Sequence, residues 1–317
     1  MNGFAYLVRD HAVEEVTPAA AIATDCHFTW IHLAGIGDET SRWLRESAHA
    51  DPLVAAQLTT SESRPRADIA EDAAFLNLRG RSTGELRASD PLVSIRIWAS
   101  RGRVVSAARQ PLVVMDVVRQ KVAAGRVRDP GDLVTALAAA ITADLDPEVG
   151  TLGDRLDEAE EMIDDSRAID LRRIVTQARA EAIGYRRFVA PQRQALDRFS
   201  EAELDWLDED DRRHLRAAAD RAARMVEELE SIRERAALIH EALTDLRAEM
   251  LDTRSLTIAI VAMIFLPLTF ITGLLGMNVE GIPFAQAPWA FWGVVGLCAA
   301  IGLGVGGWFV ARHWLAR

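Results

Sequence analysis

The residues best suited to chemistry in this sequence are carboxylates set at a helical period. Glu227, Ser231, Glu234, Leu238, Glu241, Asp245, Ala248, Asp252 and Ser255 recur every three or four positions, so on a helix they share one face. Carboxylate oxygens are the hard ligands that divalent cations prefer. On a lone helix such a face is simply solvated. In a ring of identical helices each carboxylate stands beside its own copies, and charges crowded that way need a cation among them. Further along, Ile258, Ala262, Leu266, Thr269, Gly273 and Asn278 continue at intervals of three to five. A ring of hydroxyls or amides can hold a hydrated divalent ion through its water shell without stripping it. Thr269 can equally bond its own helix carbonyl and Asn278 can equally cap a helix, and spacing leaves both readings open.

Softer ligands are sparse. Cys26-His27, with Asp25 before them, and His240 beside Glu241 are the groups a zinc site would recruit, but neither belongs to a spaced set of four. A Cys-His pair opening a strand also serves structure, and an interhelical hydrogen bond explains His240 equally well. His11, His32, His49, His214 and His313 suggest no role. No nucleophile stands with a base and no glycine loop is built to cradle phosphate, so transport rather than catalysis is expected. The cations themselves are the substrate, and no cofactor is expected.

The acidic row requires a long helix, and the sequence supplies one. From Asp208-Glu209-Asp210-Asp211, a negative cap where the helix dipole favours it, no proline or glycine intervenes before Pro267 and Gly273. A helix unbroken to Leu275 would be roughly 100 Å long. Ala222, Met225, Leu229, Ile232, Ala236, Ile239, Leu243, Leu246 and Met250 alternate by three and four as a heptad seam, about 150° from the acidic row. One face is therefore dry and the other acidic. Upstream, residues 132–166 and 167–199 read as a pair of long antiparallel helices crowded with Glu, Asp and Arg. Residues 28–33, 74–78 and 92–98 read as strands, with residues 103–107 as the second arm of a hairpin after Ser100-Arg101-Gly102. Helices are expected from the acidic cap Asp38-Glu39-Thr40 and over residues 116–124.

Residues 256–275 and 289–311 are free of charge and of the length of about 20 residues that spans a bilayer. Trp289, Trp292, Trp308 and Trp314 mark interfaces, and Arg254, Arg312 and Arg317 place both termini in the cytoplasm by the positive-inside rule. Six glycines of the second span, from Gly293 to Gly307, allow close helix packing. Two helices cannot enclose a pore, so a channel must be built by an oligomer around the first. The net charge of −11 argues against a nucleic-acid partner and suits a protein that gathers cations. Met1-Asn2-Gly3-Phe4-Ala5 lacks a signal-peptide pattern, and the two cysteines, Cys26 and Cys298, lie far apart. The N-terminal part is thus expected in reducing cytoplasm. The expected division is a cytoplasmic α/β domain over residues 1–130, paired acidic helices over 131–207 and a stalk over 208–255. Membrane spans over 256–275 and 289–311 follow, joined by an outer loop over 276–288 and ending in a tail over 312–317.

Pro267-Leu268-Thr269-Phe270-Ile271-Thr272-Gly273-Leu274-Leu275-Gly276-Met277-Asn278 resembles the CorA family of divalent metal ion transporters, whose hallmark Gly-Met-Asn triplet ends the first of two C-terminal membrane helices. The resemblance covers the whole chain and implies an α+β cytoplasmic domain, long helices, two transmembrane helices and a homopentameric funnel in a bacterial inner membrane. It implies that Gly276, Met277 and Asn278 form the pore entrance, with the Asn278 ring meeting the hydrated ion and Gly273 and Thr269 below it. Leu266 would be a gate, Ile258 a lower apolar constriction, Asp252, Asp245 and Glu241 acidic rings at the cytoplasmic end, and Glu280 an outer-loop attractor. Val279-Glu280-Gly281-Ile282-Pro283 and Phe188-Val189-Ala190-Pro191-Gln192-Arg193 look like the zinc-transporting (ZntB) branch, which implies Zn²⁺, with Cd²⁺, Ni²⁺ and Co²⁺, moved with or without protons. Glu280 departs from that branch toward the magnesium one, so a Mg²⁺/Co²⁺ channel is the alternative. A membrane-anchored coiled-coil scaffold is the rival of a different class; it leaves the charge-free run ending in Gly-Met-Asn unexplained.

Overall fold

A computed structural model describes residues 2–9, 12–61, 64–84, 92–162, 168–278, 281, 282, 284 and 286–315. It divides into two compact units, residues 1–240 and 241–317. In the first unit a seven-stranded sheet has the order β2-β1-β3-β7-β6-β5-β4. The strands are β1 (Gly3–Arg9), β2 (Ala12–Val16), β3 (Phe28–Ala34), β4 (Arg66–Ile69), β5 (Ala73–Gly80), β6 (Val93–Ser100) and β7 (Arg103–Ala108). Only β3 and β7 pair in parallel; the other neighbours are antiparallel. The expected hairpin is present, with Ser100 opposite Arg103 and the turn at Gly102 in the left-handed region that suits glycine, φ 71°.

The sheet separates two faces by alternation. On one, Ala5, Leu7, Ile31, Leu33, Phe75, Val105 and Ala107 form a core with α1 (Pro18–Ala23), α2 (Asp38–Glu46) and α3 (Pro52–Thr59). On the other, the fully buried Trp30 donates its Nε1 proton to Ser106 Oγ at 2.9 Å, and Ser106 Oγ lies 2.8 Å from His32 Nδ1. The Ser106 hydroxyl, with one proton and two lone pairs, thus serves both the indole and the imidazole. Burial, aided by the nearby Arg119 of α4 (Met115–Ala123), lowers the His32 pKa to about 4. His32 is a buried core group, 5% exposed. The acids Asp38 and Glu39 lie in the first turn of α2 but do not cap it with a side chain; Gly37 holds the cap position and Thr40 Oγ1 turns back to Gly35 O at 3.2 Å.

Beyond the sheet, α5 (Pro130–Glu161) and α6 (Ala168–Ser200) run antiparallel, tied by Arg155 to Glu181 at 2.8 Å. Residues 163–167, where the first of these was expected to end and the second to begin, lie outside the described residues. The Phe188–Arg193 signature of α6 has a structural use. The Phe188 ring lies 3.8 Å from the guanidinium of the buried Arg79 on β5, and Gln192 Oε1 accepts from the Arg79 backbone N–H at 2.6 Å. One helix turn thus locks the strand beside it. The helix α7 (Glu209–Leu275) is unbroken as the sequence required, with Pro267 inside it. In the first unit its seam residues Ala222, Met225, Leu229, Ile232, Ala236 and Ile239 are buried. Their partners are α5 and α6 of the same chain, bridged to α7 by Arg235–Glu160 at 2.8 Å and Arg186–Glu230 at 2.6 Å.

The second unit holds the remainder of α7 and α8 (Ala290–Leu315), and the apolar stretches of both are long enough to cross a membrane. They come together at Gly302, where an added Cβ would meet Ile264 Cγ2 at 4.0 Å. Gly296, Gly304, Gly306 and Gly307 have open space where a side chain would be, so packing within one chain does not account for the expected use of these glycines.

Candidate functional site

The carboxylate row is open along its whole length. In the first unit Glu227, Ser231, Glu234 and Leu238 are exposed, while the seam between them is dry. His240 is half-buried. In the second unit Glu241, Asp245 and Asp252 are exposed, and Leu243 on the seam is buried. The two faces read from spacing are therefore the two faces of the folded helix.

In the apolar part of α7 the half-buried residues are Ile260, Ile264, Leu268, Ile271 and Leu275, one face on which Ile264 lies against Gly302 of α8. Ile258, Ala262, Leu266, Thr269 and Gly273 lie about 160° from them at 100° per residue. All five are exposed, Ile258 at 70% and Leu266 at 74%, an apolar exposure that nothing within one chain covers. The hydroxyls divide cleanly. Thr272 Oγ1 donates to its own helix, to Leu268 O at 2.9 Å and near Thr269 O at 3.2 Å. Thr269 Oγ1, by contrast, makes no hydrogen bond among the described residues and points from the face away from α8. Gly273 has open space where a side chain would be, so no packing within the chain requires a glycine there. The helix ends at Leu275; Gly276 N donates to Thr272 O at 2.9 Å, and a Cβ at Gly276 would lie at that same 2.9 Å from the carbonyl. The first residue of the triplet is therefore glycine because the chain turns tightly off the helix. Met277 and Asn278 follow it, both exposed, and the Asn278 amide bonds nothing among the described residues. Glu280 lies outside the described residues.

The softer ligands do not assemble. Cys26 Sγ, half-buried at the entrance to β3, lies 3.1 Å from Phe28 O and 3.0 Å from Thr29 Oγ1, while His27 and Asp25 are exposed. Among the described residues the one group of three or more ligand-type side chains within 4.8 Å of each other is Asp129, Asp132 and Asp211. The sequence reading used Asp211 only as part of a cap and missed this meeting. Its signal was two helix starts: Asp129 caps α5, accepting from Asp132 N at 2.9 Å, and Asp208 and Asp211 cap α7 reciprocally, at 2.8 and 3.2 Å. Gly131 permits the approach, because a Cβ there would lie 1.9 Å from Asp211 Oδ2. The helix-end N–H groups of Asp132, Asp208 and Asp211 are thereby satisfied, but three carboxyls are crowded together to do it.

Burial, then the neighbouring Asp129, Asp208 and Asp132, push the Asp211 pKa up to about 7 against the Asp208 N–H that lowers it. A carboxyl whose folded pKa is raised contributes stability in its protonated form, and that contribution is lost as pH rises from about 4 to about 7. Asp211→Asn, which keeps the accepting oxygen, is therefore expected to leave the unfolding midpoint of the first unit unchanged at pH 5 and to raise it by a few degrees at pH 8. Thermal unfolding of both proteins across that range, with no divergence between them, would remove the crowding account.

The family model described as CorA-like Mg²⁺ transporter protein matches residues 25–312. The chain is similar to the divalent cation transporter CmaX of Pseudomonas aeruginosa, 33% identical over 266 residues, which are 83% of this chain and 80% of that one. It is similar to the zinc transport protein ZntB of Pectobacterium atrosepticum, 28% identical over 287 residues, covering 90% and 88% of the two chains. The solved full-length CmaX superposes with a TM-score of 0.79 at 29% identity, over 98% of this chain and 97% of that one. The CorA magnesium transporter of Methanocaldococcus jannaschii shares the fold, with a TM-score of 0.80 at 16% identity over 98% and 97%. With the match running from just before β3 into α8, through every element that carries the acidic row and the Gly-Met-Asn triplet, the chain belongs to the CorA-like Mg²⁺ transporter protein family.

Proposed function

We propose that this chain is the subunit of a homopentameric inner-membrane transporter for divalent metal cations, with Zn²⁺ the principal ion and Cd²⁺, Ni²⁺ and Co²⁺ also carried. The observation that carries this reading is the exposed line Ile258, Leu266, Thr269, Gly273 on the α7 face turned away from α8. An apolar helix with one face covered by its own partner and the opposite face bearing an unbonded threonine is suited to pack around an axis with its copies. Asn278 would receive the hydrated ion at the outer end, with Gly276 and Met277 shaping the turn that presents it, and Glu280 drawing cations to it. Thr269 and Gly273 would line the pore below, and Leu266 and Ile258 would form constrictions that close by dewetting. Asp252, Asp245 and Glu241 would be acidic rings on the cytoplasmic side, in a stalk over residues 208–255. Both termini would be cytoplasmic, as Arg254 and Arg312 favour. The fold does this by binding and positioning alone, with no catalytic step and no cofactor besides the cation.

Zinc is favoured because relatives that align with about nine-tenths of the chain are named as zinc transport proteins. Magnesium is the second reading, favoured by Glu280 and by the name of the family. Uptake of ⁶⁵Zn²⁺ into proteoliposomes, measured against Mg²⁺ as competitor with and without a pH gradient, separates them. Zinc uptake that persists under a large excess of Mg²⁺ is expected. Uptake of Mg²⁺ with no zinc flux would overturn the zinc reading, and no flux of either ion would overturn transport.

A further inference from the structure

Beneath α2 and α3, on the sheet face that packs against α1, α2 and α3, lies a cavity of about 260 Å³ that the transport reading does not use. Its walls are largely apolar. The buried Ile31, Leu58 and Val105 form the floor side, and the half-buried Trp43 and Trp98 add two indoles. A cavity of about 150 Å³ holds benzene, so this one scales to a ligand of about ten non-hydrogen atoms. Neither indole N–H has an acceptor among the described residues, which leaves two donors beside an apolar space.

The polar lining residues are His49, Asp51 and Arg103. Asp51 is already engaged: its Oδ1 accepts from Leu53 N at 2.7 Å as the cap of α3, where the helix end offsets its charge. Arg103, half-buried at the first position of β7, forms no ion pair with any described residue. That distinguishes it from Arg66, Arg81, Arg119 and Arg155 of the same unit, each of which has a carboxylate within 3 Å. His49, between α2 and α3, holds a backbone φ of 51°, a left-handed conformation that a non-glycine residue adopts at a cost. Apolar walls with two indoles and one uncommitted guanidinium fit one chemistry, a flat apolar body carrying a single carboxylate.

We propose that the cavity beneath α2 and α3 is a binding site for a small aromatic monocarboxylic acid, seated between Trp43 and Trp98 with its carboxylate on Arg103. The test is calorimetric titration of the full-length protein in a neutral detergent with phenylacetate, which has the size and charge required, and with its uncharged amide. Phenylacetate is expected to bind at least tenfold more tightly than the amide, about 1.4 kcal/mol. Arg103→Gln should bring the two ligands within twofold of each other, and Val54→Trp, which fills the cavity, should abolish both. Arg103 is half-exposed at a hairpin, so its variant tests the charge without disturbing the core. Equal binding of acid and amide to the wild type, no binding of phenylacetate at about 10 mM, or undiminished binding to Val54→Trp would each overturn the assignment.

Discussion

Replacing Asn278 with alanine is expected to reduce ⁶⁵Zn²⁺ uptake into proteoliposomes a hundredfold or more, while the oligomer stays intact by size exclusion. The amide is exposed, unbonded and placed just past the end of α7, where Gly276 turns the chain. If five such amides each hold a water of the ion's shell at about 1 kcal/mol, their loss removes about 5 kcal/mol, more than three powers of ten in occupancy. A ring is what makes the effect large, since a single amide would contribute a factor of about five. Thr272→Ala is the companion control. The Thr272 hydroxyl already bonds its own helix, so its removal should leave uptake within about twofold of wild type. Wild-type flux in Asn278→Ala, or equal losses in both variants, would take the amide out of the ion path.

The largest expected effect on folding is that of Trp30→Ala. Trp30 is fully buried, packs edge-on to Phe4 at 5.1 Å and stacks with Tyr6 at 5.9 Å. Truncating a buried tryptophan costs about 3–5 kcal/mol through lost burial and the cavity left behind. Here the indole is also the donor to Ser106 Oγ, whose hydroxyl in turn serves the neutral His32. In a unit of this size, about 2–4 °C per kcal/mol places the loss in the unfolding midpoint at roughly 6–20 °C. Near-ultraviolet circular dichroism of the full-length protein measures it, with the other tryptophans as reporters. Trp30→Phe, which keeps most of the volume, should cost much less. A midpoint for Trp30→Ala within about 2 °C of wild type would mean that the aromatic layer contributes little to the sheet.

The parts of this protein that repeat in one dimension were legible in the residues alone. A helical period needs only the next three or four residues to declare itself, so the dry seam, the acidic row and the charge-free spans could be traced from Ala222 to Ala311. The strands that stood out, β3, β5, β6 and β7, lie inside the sheet; β3, β6 and β7 carry β-branched or aromatic residues, and β5 the apolar run Ala74-Phe75-Leu76. β2 and β4 did not stand out, being edge strands of five and four residues whose partners, not their own pattern, hold them. β1 did not either, because it is buried on both faces and lacks alternation. The starts of α1 and α3 were written in Thr17-Pro18 and Asp51-Pro52, each a cap followed by proline, and were there to be found.

Three things belonged to the tertiary structure. Asp129 and Asp211 are 82 positions apart, and that two capped helix ends meet is decided by how α5 and α7 pack. Ile264 and Leu266 are both apolar and two positions apart on α7, but Ile264 is half-buried beside Gly302 of α8 whereas Leu266 is 74% exposed. That Arg103 has no ion-pair partner among the described residues could be known only once its neighbours were in place. Periodicity is a property of the local chain, whereas the state of a polar group is set by what lies beside it, and distant segments supply that.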